Sequence, residues 1–331
     1  MTVSQNTFWR WPLYLIYALF IITLFLYLRF PTQEFKTFCT DLISLHLPGY
    51  ENSIASLHYR FPLTLVARNL QLQAKSNAAQ GRSSSIPGAS DTGPSMAQGS
   101  SSSIPGASDT GPSMAQETFA IQQIDITPDL TAPGTNFSLA ITAYGGTHRI
   151  LLELDRADLT FTMPKIEIET LDLTNLTWLK TQTGRTITGL FTAQGSYAGQ
   201  IGQDISLGAG EGSAQLTGGT FELLETILSL NSIDLEKGEA LFKLQDQKLL
   251  LSNGKFNGKE VTGTFSGQIS SLNSKVAAMQ LEMTGALTPL PALIEKSGQA
   301  QPLLRQGQQK QAGLPFQLKG TISKPVFLFD S

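Results

Sequence analysis

From Glu117 onward, apolar residues recur at every second position, and few folds are open to such a chain. Successive side chains of a strand point to opposite faces, so period-two alternation gives each strand one apolar and one polar face. That pattern calls for an antiparallel sheet. Leu159, Phe161 and Met163 alternate until Pro164-Lys165; Ile166 and Ile168 resume, and then Leu171 and Leu173 take over out of phase. Slips of this kind predict bulges or tight connections. Phe242 and Leu244, then Asp246-Gln247, then Leu249 and Leu251 predict a hairpin. Val261, Phe265 and Ile269 share a face, Met279, Leu281 and Met283 form another strand, and Phe316, Leu318 and Ile322 another. FSGQIS, MTGALTP and LKGTISKP, around Gly267, Gly285 and Gly320, each carry an apolar residue two places after the glycine, and suggest a repeated strand-turn unit. Two segments read as helical instead: Glu222–Leu230, and Leu290–Lys296 with Pro291 in its first turn.

The N-terminus follows other rules. From Trp11 to Leu28 there is no charged residue, and Arg10 and Arg29 bracket the run. At helical rise it spans about 27 Å, enough for a bilayer's hydrocarbon core with snorkelling flanks. Phe8, Trp9, Trp11 and Tyr14 at one end and Tyr27 at the other resemble an interfacial aromatic belt. A cleaved signal peptide would have a shorter apolar run and a small-residue cleavage site, whereas LRFPTQEF follows here. The expectation is an uncleaved anchor over 11–28 after a cytoplasmic tail over 1–10. Arg10 on one side against Arg29 and Lys36 on the other leaves orientation open on charge alone.

Residues 29–78 are expected to hold a juxtamembrane helix and the first strands. Phe35, Phe38, Cys39, Leu42 and Leu45 or His46 fall at helical spacing, with Thr32 as N-cap and Glu34 in the first turn. Such a helix lies on the bilayer or plugs the end of a β structure, and its non-basic polar face favours the plug. In the segment 79–116, AQGRSSSIPGASDTGPSM (79–96) is followed at once by AQGSSSSIPGASDTGPSM (97–114), differing only at Arg82 and Ser100. Ser, Gly and Pro without an apolar face predict a disordered insert in a surface loop. Residues 117–331 form the β-rich domain.

Little in the chain suggests catalysis. His46, His58 and His148 are far apart with no HxH or HExxH spacing. Gly208, Gly210 and Gly212 make a GxGxG with no following lysine and no βαβ frame, and no GxSxG elbow occurs. Glu153, Asp155, Glu167 and Glu169 take the polar phase of strands, where a solvated face is the ordinary reading. A net charge of −3 gives no electrostatic reason to bind nucleic acid, and the single Cys39 forms no intrachain disulfide. Charged residues are 15% of the chain against a usual quarter or so, with Thr, Ser, Gln and Gly filling the gap, as suits strands and turns. No enzyme activity and no cofactor are expected.

The run LRFPTQEFKTFCTDLISLHLPGYENSIASLHYRFPLTLVARNLQL resembles the start of the type II secretion system protein N (GspN) family: anchor, short helix, strand, an FP turn (Phe61-Pro62), apolar strand. LLETILSLNSIDLEKGEALFKLQDQKLLLSNGKFNGKEVTGTFSGQIS is similar to that family's central part, and LKGTISKP to a closing strand that AsmA-like proteins share. The resemblance covers nearly the whole chain except the duplicated insert. It implies a single-pass protein of a Gram-negative inner membrane with its main domain periplasmic, working beside other secretion-system subunits. It also implies an elongated, curved antiparallel sheet whose concave face is apolar, as in AsmA-like lipid-handling proteins. Two functions follow as expectations: a structural component of the secretion machinery, or a protein that binds or bridges phospholipid or lipopolysaccharide acyl chains. Phe161, Met163, Ile166, Ile168, Leu171, Phe242, Leu244, Leu249, Leu251, Phe265 and Leu281 are the candidate lining of an apolar trough. For any one of them an ordinary core position is the plainer reading. Whether a second layer covers that face separates the two.

Overall fold

The computed structural model describes residues 17–18, 21, 32–46, 50–61, 63–74, 118–132, 134–227, 230–296, 301, 304–305 and 313–329. Of the anchor expected over 11–28, Tyr17, Ala18 and Ile21 are described and helical, and the rest lies outside the described residues, as does the duplicated insert. Among the described residues no helix is long and apolar enough to cross a membrane.

The chain is mainly β. Fourteen strands form one antiparallel sheet in which every strand pairs with its neighbours in sequence. They are β1 (Tyr50–Arg60), β2 (Thr64–Ala74), β3 (Thr118–Pro128), β4 (Asn136–Ala143), β5 (Gly146–Asp155), β6 (Thr160–Asp172) and β7 (Leu190–Gln200). There follow β8 (Ala209–Ile227), β9 (Leu230–Gln245), β10 (Lys248–Gly258), β11 (Val261–Ser270), β12 (Gln280–Pro289), β13 (Leu314–Thr321) and β14 (Pro325–Phe329). Gln73 pairs with Thr118, so the duplicated insert falls in the connection of a hairpin.

Local chemistry explains the turns. Asp246 and Gln247 both take positive φ, which a two-residue hairpin matching the strands' twist requires, and they join β9 to β10 as the sequence predicts. Tyr144-Gly145 does the same between β4 and β5. The phase slips in β6 are bulges: the register with β7 shifts between Met163 and Ile166 and again between Ile168 and Leu171.

Besides helical residues at 17–18, 21, 301 and 304–305, the described residues include three α-helices with defined bounds. α1 (Thr32–His46) is a helix where one was expected ahead of the first strand, and it packs on β1. The Asn52 amide donates to the Thr40 carbonyl (3.1 Å) and Ser44 Oγ (2.8 Å), and Lys36 Nζ donates to the Ala55 carbonyl (3.3 Å). The helix thus shields an edge strand that would otherwise offer free backbone groups. α2 (Thr177–Thr183) lies in the β6–β7 connection, and α3 (Pro291–Lys296) is the helix expected over Leu290–Lys296, starting one residue later. The helix expected over Glu222–Leu230 is instead the end of β8 and the start of β9: Phe221 pairs with Ile233, Glu222 with Ser232 and Ile227 with Leu230. Leucines spaced for a helix were overruled there by backbone pairing to the adjacent strand, the tertiary override to which short apolar runs are prone.

The sheet is curled. The Trp178 ring packs at a tilt against Phe119 of β3 (5.5 Å between centroids), and seven residues later Arg185 donates to the carbonyl of Ile322, just past β13. α2, only about 10 Å long at helical rise, also lies against both β3 and the turn at 276–278 between β11 and β12. In an uncurled sheet β3 and β13, ten spacings apart, would be separated by about 48 Å. Twist alone leaves that spacing unchanged, so the strands coil around the apolar face.

Candidate functional site: the apolar face of the sheet

Residues paired across antiparallel strands share a face. From Ile168 the register runs to Ala193, Ala214 and Ala240; from Met163 to Tyr197, Gly210, Leu244, Leu249, Ile269, Leu281 and Gly320. From Ile166 it runs to Gly195, Gly212, Phe242, Leu251, Gly267, Met283, Leu318 and Phe327. Leu171 opposes Phe191, and Phe161 opposes Gly199. All eleven candidate trough residues therefore lie on one face. Each is half-buried, neither sealed in a core nor open to solvent. The opposite face carries Glu167, Gln194, Ser213 and Gln215, with the pairs Arg149–Glu169 (2.9 Å) and Lys237–Glu239 (2.7 Å).

A repeated packing device holds the apolar face together. Large side chains lie over glycines of the next strand: Phe242 over Gly212, Phe256 over Gly263, Phe265 over Gly254, Phe316 over Gly285. A Cβ at Gly285 would stand 2.6 Å from the Phe316 ring. The glycine gives the ring a floor without a second layer above it.

One closure of the face is at its C-terminal end. There α3 and Leu304 descend on β11–β13, and Val261, Leu287, Leu293, Ile294, Leu304, Leu314 and Phe316 are buried together. Phe327 stacks on Phe316 (5.0 Å) and Phe329 meets Phe327 edge-on (4.9 Å). Among the described residues there is no second sheet; away from this plug the β6–β7 connection crosses the face, and at the other end of the sheet, where α1 packs on β1, Ile54, Leu57, Val66 and Leu70 are buried. Beside the plug a hollow of 310 Å³ is walled by Phe191, Leu216, Phe221, Ile233, Leu235, Phe256 and Phe265. A second hollow of 680 Å³ lies against the polar face, lined by Glu167, Glu169, Gln194, Gln215 and Lys255, and is an ordinary solvated concavity.

The β6–β7 connection is tied down along its length. Leu176 and Thr183 are buried, Thr183 Oγ1 bonds the Leu179 and Arg185 carbonyls (2.7 and 3.2 Å), and Glu222 Oε2 accepts the Thr186 amide at 2.8 Å. That bond holds the Glu222 carboxyl below the ordinary carboxylate range. Arg185, 4% exposed, is the one charged side chain among the fully buried residues described. Its guanidinium lies 5.1 Å over the Phe221 ring, and burial pushes its pKa down.

The eleven residues singled out from the sequence share one face of the sheet. Missed there were Phe191, Leu216, Phe221 and Phe256, whose alternation with Thr192, Thr217, Glu222 and Asn257 was a usable signal. Arg185 left no signal, because its burial depends on Ile322, 137 residues away. Among the described residues no group of three or more His, Cys, Asp or Glu side chains could hold a metal ion. The chain matches no protein-family model, no curated protein and no solved structure.

Proposed function

We propose that this chain is a non-enzymatic, membrane-anchored β protein whose curled sheet holds lipid acyl chains along its apolar face. The reading is supported by one observation above the others: register gathers eleven apolar residues on one face and leaves every one half-buried. A sheet face of that kind is stable in water only with a cover, and acyl chains of a phospholipid or lipopolysaccharide supply one without directional bonding. The uncharged run over 11–28 anchors the chain in the bilayer, and the β domain faces the periplasm of a Gram-negative cell.

The second reading, a structural component of a type II secretion system, rests on the GspN resemblance. It is favoured by β14, a last strand with no neighbour beyond it among the described residues, whose Val326 and Leu328 are about half exposed. An edge of that kind suits strand addition by another subunit. The two readings are compatible in one protein.

The test is lipid recovered from the full chain extracted from membranes in an amphipathic polymer. Phe242 and Leu251 pair across β9 and β10 on the apolar face. Wild type should carry more acyl lipid per chain than the Phe242→Arg, Leu251→Arg double variant, with both chains folded. Equal lipid in the two would remove the trough reading and leave the secretion reading alone. Protease added to spheroplasts tests orientation: the β domain should be cut while the first thirty residues stay protected.

A further inference from the structure

Arg185 is the exceptional side chain of this molecule. A guanidinium buried away from water is costly unless an anion compensates it, which makes such a group a candidate for a functional site. None of the ion pairs among the described residues includes Arg185. The nearby Glu222 carboxylate is committed to the Thr186 amide. Arg185 holds one neutral acceptor among the described residues, the Ile322 carbonyl, through Nη2 at 2.9 Å, and its buried Nε has no hydrogen-bond partner among them. Nε and Nη2 form one edge of the guanidinium fork, the edge that a carboxylate or phosphate engages through two parallel bonds. Half of that edge is idle and the other half is on a neutral oxygen. Phe221, on which the guanidinium is stacked, is a wall of the 310 Å³ apolar hollow.

We propose that Arg185 is the head-group seat of the trough, receiving the anionic oxygens of an acyl lipid through Nε and Nη2 while the acyl chain lies in the hollow beyond Phe221. Exchange of the Ile322 carbonyl for an oxyanion neutralises the buried charge and satisfies Nε in the same step. The inference rests on the acyl-chain reading above and adds a chemical class to it: amphiphiles bearing a carboxylate or phosphate, in preference to uncharged ones.

The experiment uses the full chain in an uncharged amphipathic polymer and three probes of one chain length: oleate, oleyl phosphate and oleyl alcohol. Wild type should bind at least one anionic probe about tenfold more tightly than the alcohol, the difference a charge-assisted bidentate contact makes. The tighter of the two anions identifies the head group. Arg185→Gln should bring the anionic probes down to the level of the alcohol and leave alcohol binding unchanged. Arg185→Lys keeps the charge but loses the fork, and should retain part of the preference. Equal binding of alcohol and anions by wild type would overturn the head-group seat while leaving the trough intact, and that comparison decides the matter even if Arg185→Gln does not accumulate. An anion preference that survives in a folded Arg185→Gln chain would overturn it as well. Failure of all three probes to bind would remove the trough reading and this inference with it.

Discussion

A carboxylate placed at two positions of the same apolar face should have opposite consequences. Phe316 is 6% exposed inside the plug, stacked on Phe327 and seated over Gly285. Phe316→Asp loses a buried ring, about 3–5 kcal/mol, and strands an unpaired carboxylate that costs several kcal/mol more. The sum approaches the whole stability of a typical domain, about 5–15 kcal/mol. Phe161 is half-buried on the uncovered stretch, opposite Gly199, and its one ring contact among the described residues is with Tyr197 at 5.6 Å. Phe161→Asp loses about half of a burial worth 1.5–3 kcal/mol and a ring pair worth about 1 kcal/mol, while the carboxylate stays hydrated. The cost is then about 2 kcal/mol, and the domain remains folded. Accumulation in membranes and thermal melting of the two full-length variants measure this. The account expects no accumulation for Phe316→Asp and a lowered but cooperative melt for Phe161→Asp. If Phe161→Asp fails as completely as Phe316→Asp, the face near β6 is a closed core and the reasoning is refuted.

Other consequences can be checked alongside. Gly285→Val drives a side chain into the Phe316 ring and the Thr264 carbonyl, and should cost about 1–3 kcal/mol, whereas Gly238→Ala meets nothing nearer than Leu216 Cβ at 4.0 Å and should melt like wild type. The folded Glu222 carboxyl titrates below its unfolded value, so its hold on Thr186 is fully present above the ordinary glutamate value of about 4.3 and is lost as pH falls through the lower folded value. Amide exchange over 176–188 should therefore accelerate in that acid window in wild type, and a Glu222→Gln chain that kept the same acid transition would disprove the assignment. Removing one copy of the repeat, 97–114, shortens the β2–β3 connection and should change stability by only about 0.5 kcal/mol, so a large fall in Tm would show that the repeat packs on the domain.

Much of the sheet was readable because its signals are local. The alternation of Phe161 and Met163 with threonines needs no partner to be recognised, and the slips at Pro164-Lys165 and before Leu171 became bulges because the inserted residue must go somewhere without inverting the face. Asp246-Gln247 and Pro291 carry turn and helix-start chemistry in their own side chains. What failed was set by distant residues. Leu223, Leu224 and Ile227 have helical spacing, yet the backbone from Phe221 to Glu222 found partners in β9. The role of Gly212 and Gly285 as floors for Phe242 and Phe316 exists only once the strands are in register. Arg185 looks like any polar loop residue until the sheet curls and carries Ile322 to it.

The central claim is that acyl chains lie against one face of the sheet and not the other, and neighbouring positions on β10 test it most directly. Leu249 is half-buried on the apolar face, paired between Leu244 and Ile269; Leu250, next in sequence, points to the polar face and is 38% exposed. A photoreactive phenylalanine analogue placed at each position in the full chain, in cells carrying labelled acyl lipid, reports which face the lipid touches. Label captured at 249 and absent at 250 is the predicted result. Label captured equally at both positions, or at neither, would contradict the account.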